Sequence, residues 1–349
     1  MPVQVCQCRL IPLQERVRPA TYAPNQGQTG SQIVIEERHI DGELRETVLL
    51  DSIPSQANRM EEVLYDLRDE LGLPDVCVDL SAIPSNHLPK RLSQWQLPHR
   101  IYDAVVRDSE LDGKPFFETG IGQKVAVGDP QSLFKLAPNV LLFGGWNSHA
   151  QQGVGHVRAA RIERAVTAEL LGLDPKPVNR TASRLDPTGI PGDAGPPSGY
   201  EALKKTQKLS ELGLGNVAPH LEPLDVSIAE ARLEFTLTSV PWERMGLPEE
   251  ARQVLWDLAL LALAKLYENG IHLRSGTELF PAEALRLRDP VTGDLKELPP
   301  SEELIERVRE GVGRLPEGYG WNGEPLVLTP SKRLADLLAK IEEIRGEKR

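Results

Sequence analysis

The chain has little cysteine, few aromatic side chains and no long apolar run. Three cysteines in 349 residues, Cys6, Cys8 and Cys77, are too few for a disulfide framework. Cys6-Gln7-Cys8 alternates on an expected strand, so both thiols point to one face, and without two further ligands nearby core packing outweighs a metal site. Aromatics make up 5% of the residues, which excludes a surface of many base-stacking platforms. No apolar stretch approaches the length of a membrane span, and Met1-Pro2-Val3-Gln4-Val5 lacks a charged-then-apolar signal pattern. The expected location is the cytoplasm, with no membrane partner. A phosphate-cradling P-loop and a serine nucleophile elbow are both missing. Gly120-Ile121-Gly122 and Gly153-Val154-Gly155 read as loop glycines. His149 and His156 stand seven apart, an uncommon metal spacing on a regular element. No catalytic residue, metal site or cofactor is expected.

What is present describes a globular chain with a real core, 40% hydrophobic and 26% charged, long enough for one large domain or two ordinary ones. The net charge of −11 argues against a nucleic-acid partner, but it is unevenly spread. Residues 85–165 carry 10 basic and 7 acidic groups, net +3. Phosphate binding needs only a local strip, because screening at physiological salt limits charge effects to about 8 Å.

Periodicity supplies the elements. Ile33-Val34-Ile35 and Thr47-Val48-Leu49-Leu50 flank the turn signal Asp41-Gly42 and predict a hairpin. Met60, Val63, Leu64, Leu67 and Leu71 predict a helix that stops at Gly72. A second helix is expected from Ile101 to Asp108, a buried strand at Val140–Phe143, a polar loop after Gly144-Gly145, and a helix from His156 to Leu171. Residues 174–200, rich in proline and glycine, fit no regular element and read as a long surface loop within an insertion spanning 174–222. Glu230 to Thr238 alternates strictly and predicts a half-buried strand. Pro248-Glu249-Glu250 opens a helix to Asn269 that is apolar on nearly all sides. Ile271–Arg274 is a strand, and helices near 301–312 and 331–345 end the chain, which gives 276–349 as a helical extension. This order predicts an α+β fold with an antiparallel sheet.

The most informative stretch is Leu50-Asp51-Ser52-Ile53-Pro54-Ser55-Gln56-Ala57-Asn58-Arg59-Met60-Glu61, a strand end that becomes a helix start. Ser55 or Asn58 can serve as the cap, and Asn58 with Glu61 approximates a capping box. That leaves Gln56, Arg59 and one serine of Ser52 and Ser55 for another task, such as a phosphate or sugar edge. An over-decorated helix cap is the competing reading. Later come Pro98-His99-Arg100-Ile101-Tyr102-Asp103-Ala104 and Leu141-Leu142-Phe143-Gly144-Gly145-Trp146-Asn147-Ser148. Trp146, beyond two glycines, either stacks a base or anchors its loop. Arg158, Arg161 and Arg164 recur every three residues as a basic stripe.

These three segments, with Arg18-Pro19-Ala20-Thr21-Tyr22-Ala23, Lys208-Leu209-Ser210-Glu211-Leu212-Gly213-Leu214-Gly215 and Leu273-Arg274-Ser275, resemble the large backbone subunit of type I CRISPR effector complexes. The variant is the one once called subtype U and now G, within the RAMP superfamily. The resemblance implies a single RAMP-type domain over 1–349. It also implies a ferredoxin-like, RNA-recognition-motif core with large insertions, described as palm, fingers and thumb. It implies a non-catalytic subunit that polymerises along CRISPR RNA and presents it to target DNA. Further copies of the chain, other effector subunits and a helicase-nuclease would be its partners. The RNA-binding candidates are Ser52, Ser55, Gln56, Asn58, Arg59, His99, Arg100, Trp146, Asn147, His149, Arg158 and Arg161. A metal-dependent nuclease on the same fold and an assembly subunit without RNA contact are the rival readings.

Overall fold

Strand β1 (Val3–Pro12) sets Cys6, Cys8 and Leu10 on one face, and all three are buried. Burial pushes the Cys6 thiol up to about 12 and Cys8 to about 11, so both behave as small core groups. The computed structural model describes residues 3–23, 32–85, 87–147, 160–187, 189–190, 216–274 and 276–347.

The expected hairpin forms between β2 (Ile35–Ile40) and β3 (Glu43–Asp51), with Asp41 and Gly42 both at positive φ (53° and 85°) as a two-residue turn requires. Helix α1 (Ile53–Asp66) follows at once; a short turn, Arg68–Leu71, then closes on left-handed Gly72. β4 (Val166–Leu173) and β5 (Glu230–Thr238) come next in the sheet, then helix α2 (Glu249–Tyr267), β6 (Ile271–Arg274) and β7 (Thr277–Pro281). Every neighbour pair is antiparallel, in the order β6-β7-β1-β5-β4-β3-β2. Phe235 at the centre of β5 faces Cys6 on one side and Ala168 on the other.

Helix α1 packs against both α2 and β4. α2 buries Leu255, Leu258, Leu261 and Leu263, spread around its circumference, because the helix Ser301–Gly313 covers its remaining side. Each buried leucine contributes about 1.5–3 kcal/mol. A smaller sheet seals the first third of the chain. In it Val76–Asp79 pairs with Arg91–Ser93 and lies parallel to Leu326–Pro330, which continues to Ser109–Leu111. The last helix spans Lys332–Glu347. The terminal stretch 276–349 is therefore woven into both sheets, and its helices stand where expected.

Five expectations are corrected. Val140–Phe143 is the end of a helix, Pro138–Phe143, since a short run buried all round has no period and Pro138 presets a helical first turn. The helix expected to reach Leu171 is replaced by Arg161–Ile162 and β4, where Val166 and Thr167 favour a strand flanked on both edges. Its start, His156, lies outside the described residues. Within 174–222 a two-stranded ribbon pairs Lys176–Arg184 with Val217–Ser227. Gly120-Ile121-Gly122 opens the helix Gly120–Ala126, capped by Thr119, and the expected helix over 101–108 is one 3-10 turn plus Ala104–Arg107.

Candidate nucleic-acid interface

The cap of α1 lies three residues before Ser55, the earlier of the two expected caps. Pro54 fits the first turn, so Ser52 is the cap, its Oγ accepting from the Ser55 N–H at 3.4 Å. Neither Ser55 nor Asn58 caps. The remaining polar groups turn inward. Asp51 Oδ2 accepts from Gln56 Nε2 at 2.6 Å and from Arg59 Nε at 3.1 Å. Gln56 Oε1 in turn accepts from the Tyr267 hydroxyl at 2.7 Å. Burial, then the nearby Asp51, pushes the Tyr267 phenol well up, so it stays a donor. Arg59 Nη1 also donates to the His272 carbonyl (3.1 Å), and Arg274 Nη1 to the Leu50 carbonyl (2.8 Å). Gln56 is fully buried and both ends of its amide are taken, which corrects its assignment to RNA. Arg59 is half-buried and tied to the fully buried Asp51.

A second internal tie joins the three odd segments. Arg100 is buried, and its Nε and Nη2 each donate to a Glu61 carboxylate oxygen at 2.7 Å. Its Nη1 donates to the Gly144 carbonyl at 3.1 Å, and Asn139 Nδ2 adds a bond to Glu61 at 2.9 Å. Burial pushes the Glu61 carboxyl up, and the bidentate guanidinium pulls it back. Arg100 itself holds φ at 55°, a left-handed backbone that its fixed side chain over-determines. It is an internal strut rather than an exposed cation, which corrects its assignment. Gly144 (φ 82°) could not carry a side chain: a Cβ would meet Arg164 Cγ at 2.7 Å. At Gly145 a Cβ would meet Val140 Cγ1 at 2.9 Å. The glycine pair thus lets the chain pass between Tyr102, Val140 and the next strand.

Beyond the glycines the chain opens outward. Gly145–Trp146 pairs with Arg161–Ile162, placing Trp146 directly opposite Arg161. Residues opposed in an antiparallel pair share a face, with Cβ atoms about 5 Å apart. Trp146 is 65% exposed and Arg161 is exposed beside it, so an indole ring and a guanidinium face solvent together. Asn147 turns in: it is buried, and its Nδ2 donates to the Ala126 carbonyl at 3.1 Å, which corrects its assignment. His99 is exposed next to the strut, and exposed Asn58 borders a groove of 360 Å³ shared with Glu62, Asp66, Trp95 and Pro98. His149 and Arg158 lie outside the described residues.

Residues 5–177 match the model of a family described as CRISPR-associated protein GSU0053. The chain is a CRISPR-associated protein of this family. The matching stretch holds most of β1, the α1 junction, the whole Arg100–Glu61 tie and the Trp146–Arg161 pair. No curated protein matches the chain. Among solved structures, a chain of a "CRISPR RNA-guided surveillance complex, pre-nicking" is 11% identical over 98% of this chain and 100% of that one, with a TM-score of 0.37. Csc2 from Thermofilum pendens is 11% identical over 99% of this chain and 76% of its own, with a TM-score of 0.29. Likeness at this level establishes no shared site.

Tyr267 and Asn139 are the functional neighbours that sequence reasoning missed. Each completes a polar group in the family stretch from 211 and 78 residues away, and no local pattern marks either.

Proposed function

We propose that this family member is a non-catalytic CRISPR RNA-binding subunit that polymerises along the guide and presents it to target DNA. The observation that carries the reading is the exposed Trp146 ring paired with Arg161 inside the family-matched stretch. A ring stacks any base, and a neighbouring guanidinium meets the adjoining phosphate, so the pair suits single-stranded RNA without choosing its sequence. Specificity then comes from base pairing while the protein reads the backbone. Ser52, Ser55, Asn58, Arg59 and His99 remain secondary contacts in this reading; His149 and Arg158, between Trp146 and Arg161 in the sequence, complete the set.

The strand order supports a ferredoxin-like core of the RNA-recognition-motif kind. Taken as β1-α1-β4-β5-α2-β7, the chain forms two β-helix-β passes, and the spatial order β7-β1-β5-β4 is the one such a core requires. The β2-β3 hairpin adds an edge beside β4, and the two-stranded ribbon between β4 and β5 fits an insertion within one RAMP-type domain. Among the described residues no helix is long and apolar enough to cross a membrane. Further copies of the chain, other effector subunits and a helicase-nuclease are the protein partners this role requires.

Co-expression with a CRISPR array tests the reading. RNA should co-purify, and particles should lengthen with the guide, because a head-to-tail contact repeats along a strand whereas a closed dimer cannot. Protein free of nucleic acid, or particles of constant length on longer guides, would refute it.

A further inference from the structure

The basic stretch contains a second cluster that the Trp146–Arg161 pair does not use. Most arginines elsewhere are tied to carboxylates: Arg38 to Glu36 and Glu169, Arg45 to Asp174, Arg232 to Asp41 and Glu230, Arg309 to Glu70. Lys124 and Lys135 differ. Both are exposed, and neither has an ion-pair partner among the described residues, in a chain with 51 acidic and 40 basic groups. They converge on one open groove of 290 Å³, walled also by Gly120, Ser132 and Gln131. No carboxylate lines it. Asp129, the nearest acid in sequence to Ser132, spends its Oδ2 accepting from the Ser132 N–H at 2.8 Å as a helix cap. Gln131 Nε2 donates to the Gly318 carbonyl at 3.0 Å and fixes one wall.

The groove and the aromatic pair flank the same short helix. The groove lies toward the start of helix Gly120–Ala126, and the far end of that helix abuts the Trp146 hairpin. There Asn147 bonds the Ala126 carbonyl, and a Cβ at Gly128 would stand 3.1 Å from Ile162 Cδ1. Along the exposed face between them, Ile121, Lys124 and Val127 follow one another at a spacing of three residues. Lys124 stands in the second half of that helix and Lys135 on the next one, Pro130–Leu136, so the two cations reach the groove from different elements.

We infer that the groove between Lys124 and Lys135 is a second phosphate site for single-stranded RNA, holding the strand along the helix that the Trp146 hairpin abuts. The inference rests on the RNA-binding reading above and adds the path the backbone takes across the subunit.

The test measures binding of a short mixed-sequence single-stranded RNA to the full chain, across a range of salt concentrations, for two double variants. K124Q/K135Q should melt like the parent, bind every sequence about tenfold more weakly, and lower the salt slope by about 1.4, two single-strand phosphate contacts. K124R/K135R should restore both. Should K124Q/K135Q keep parental affinity and slope while W146A/R161Q loses binding, the groove assignment falls and the RNA-binding reading stands. If the parent itself does not bind RNA, the reading falls with it. RNA-free self-association that collapses in K124Q/K135Q at unchanged RNA affinity would give the groove to a neighbour's carboxylates and overturn the inference.

Discussion

Replacing Arg100 with methionine separates a strut from a ligand. The guanidinium makes two 2.7 Å bonds to Glu61 and one to the Gly144 carbonyl, all inside the protein. Methionine keeps most of the apolar stem but leaves a buried carboxylate with only the Asn139 amide as partner. Removing one side of a buried pair costs about 3–5 kcal/mol. The deficit should depend on pH with a definite sign. Burial is the largest influence on the Glu61 carboxyl and pushes it up; without Arg100 nothing comparable opposes it. The folded variant then holds a proton that the unfolded chain releases above about pH 4.3. Its stability therefore falls as pH rises from there through the folded-state value, and the gap to the parent is smallest in acid. Urea unfolding from mildly acidic to neutral pH reads both quantities, and adding Glu61→Gln should flatten the pH dependence and recover part of the loss. A variant within 1 kcal/mol of the parent at neutral pH, but with RNA retention per folded molecule abolished, would refute the reasoning and restore Arg100 to the RNA.

Gln56→Ala should cost about 2–4 kcal/mol in urea unfolding, since it strips partners from the buried Asp51 carboxylate and Tyr267 hydroxyl, and leave RNA binding per folded molecule unchanged. Trp146→Ala should move stability by less than about 0.5 kcal/mol yet weaken RNA by about 1–3 kcal/mol in a fluorescence titration; the reverse pattern would make the ring a loop anchor. Arg161→Gln should reduce the salt slope by about 0.7 without altering melting. Cys6 and Cys8 should resist a thiol reagent at pH 8 until the protein is unfolded, and rapid labelling of the native chain would contradict their burial.

The sheet was legible wherever a strand had one wet face. Glu230–Thr238 alternates along its full length, and the Asp41-Gly42 turn declares the hairpin before it. Legibility failed where both faces are covered. Val140–Phe143 is a continuous apolar run without a period, and Val166–Leu173 alternates only as far as Glu169 before four buried residues follow. The candidate site divides along the same line. Trp146 and Arg161 stay outward, as polar company after two glycines implies. Gln56, Arg100 and Asn147 look like surface groups because their partners, Tyr267, Glu61 and the Ala126 carbonyl, are remote in sequence. An excess of hydrogen-bonding side chains at a helix start signals unfinished bonding, and the missing partners proved to be within the chain.

The central position of β1 has a consequence for synthesis. Cys6 faces Phe235, and Leu10 faces Pro281, so the first strand made has neither neighbour until more than 220 further residues exist. At about 5–20 residues per second, Val3–Pro12 waits roughly 10–45 s as an unpaired ribbon carrying two thiols and an apolar face. The α1 helix, the hairpin and the first strands of the small sheet emerge during that delay, but Leu326–Pro330 joins the small sheet only near the end. Nascent chains stalled before β5 should therefore expose β1 to chaperones or to one another, and production of this protein is most vulnerable to crowding during translation.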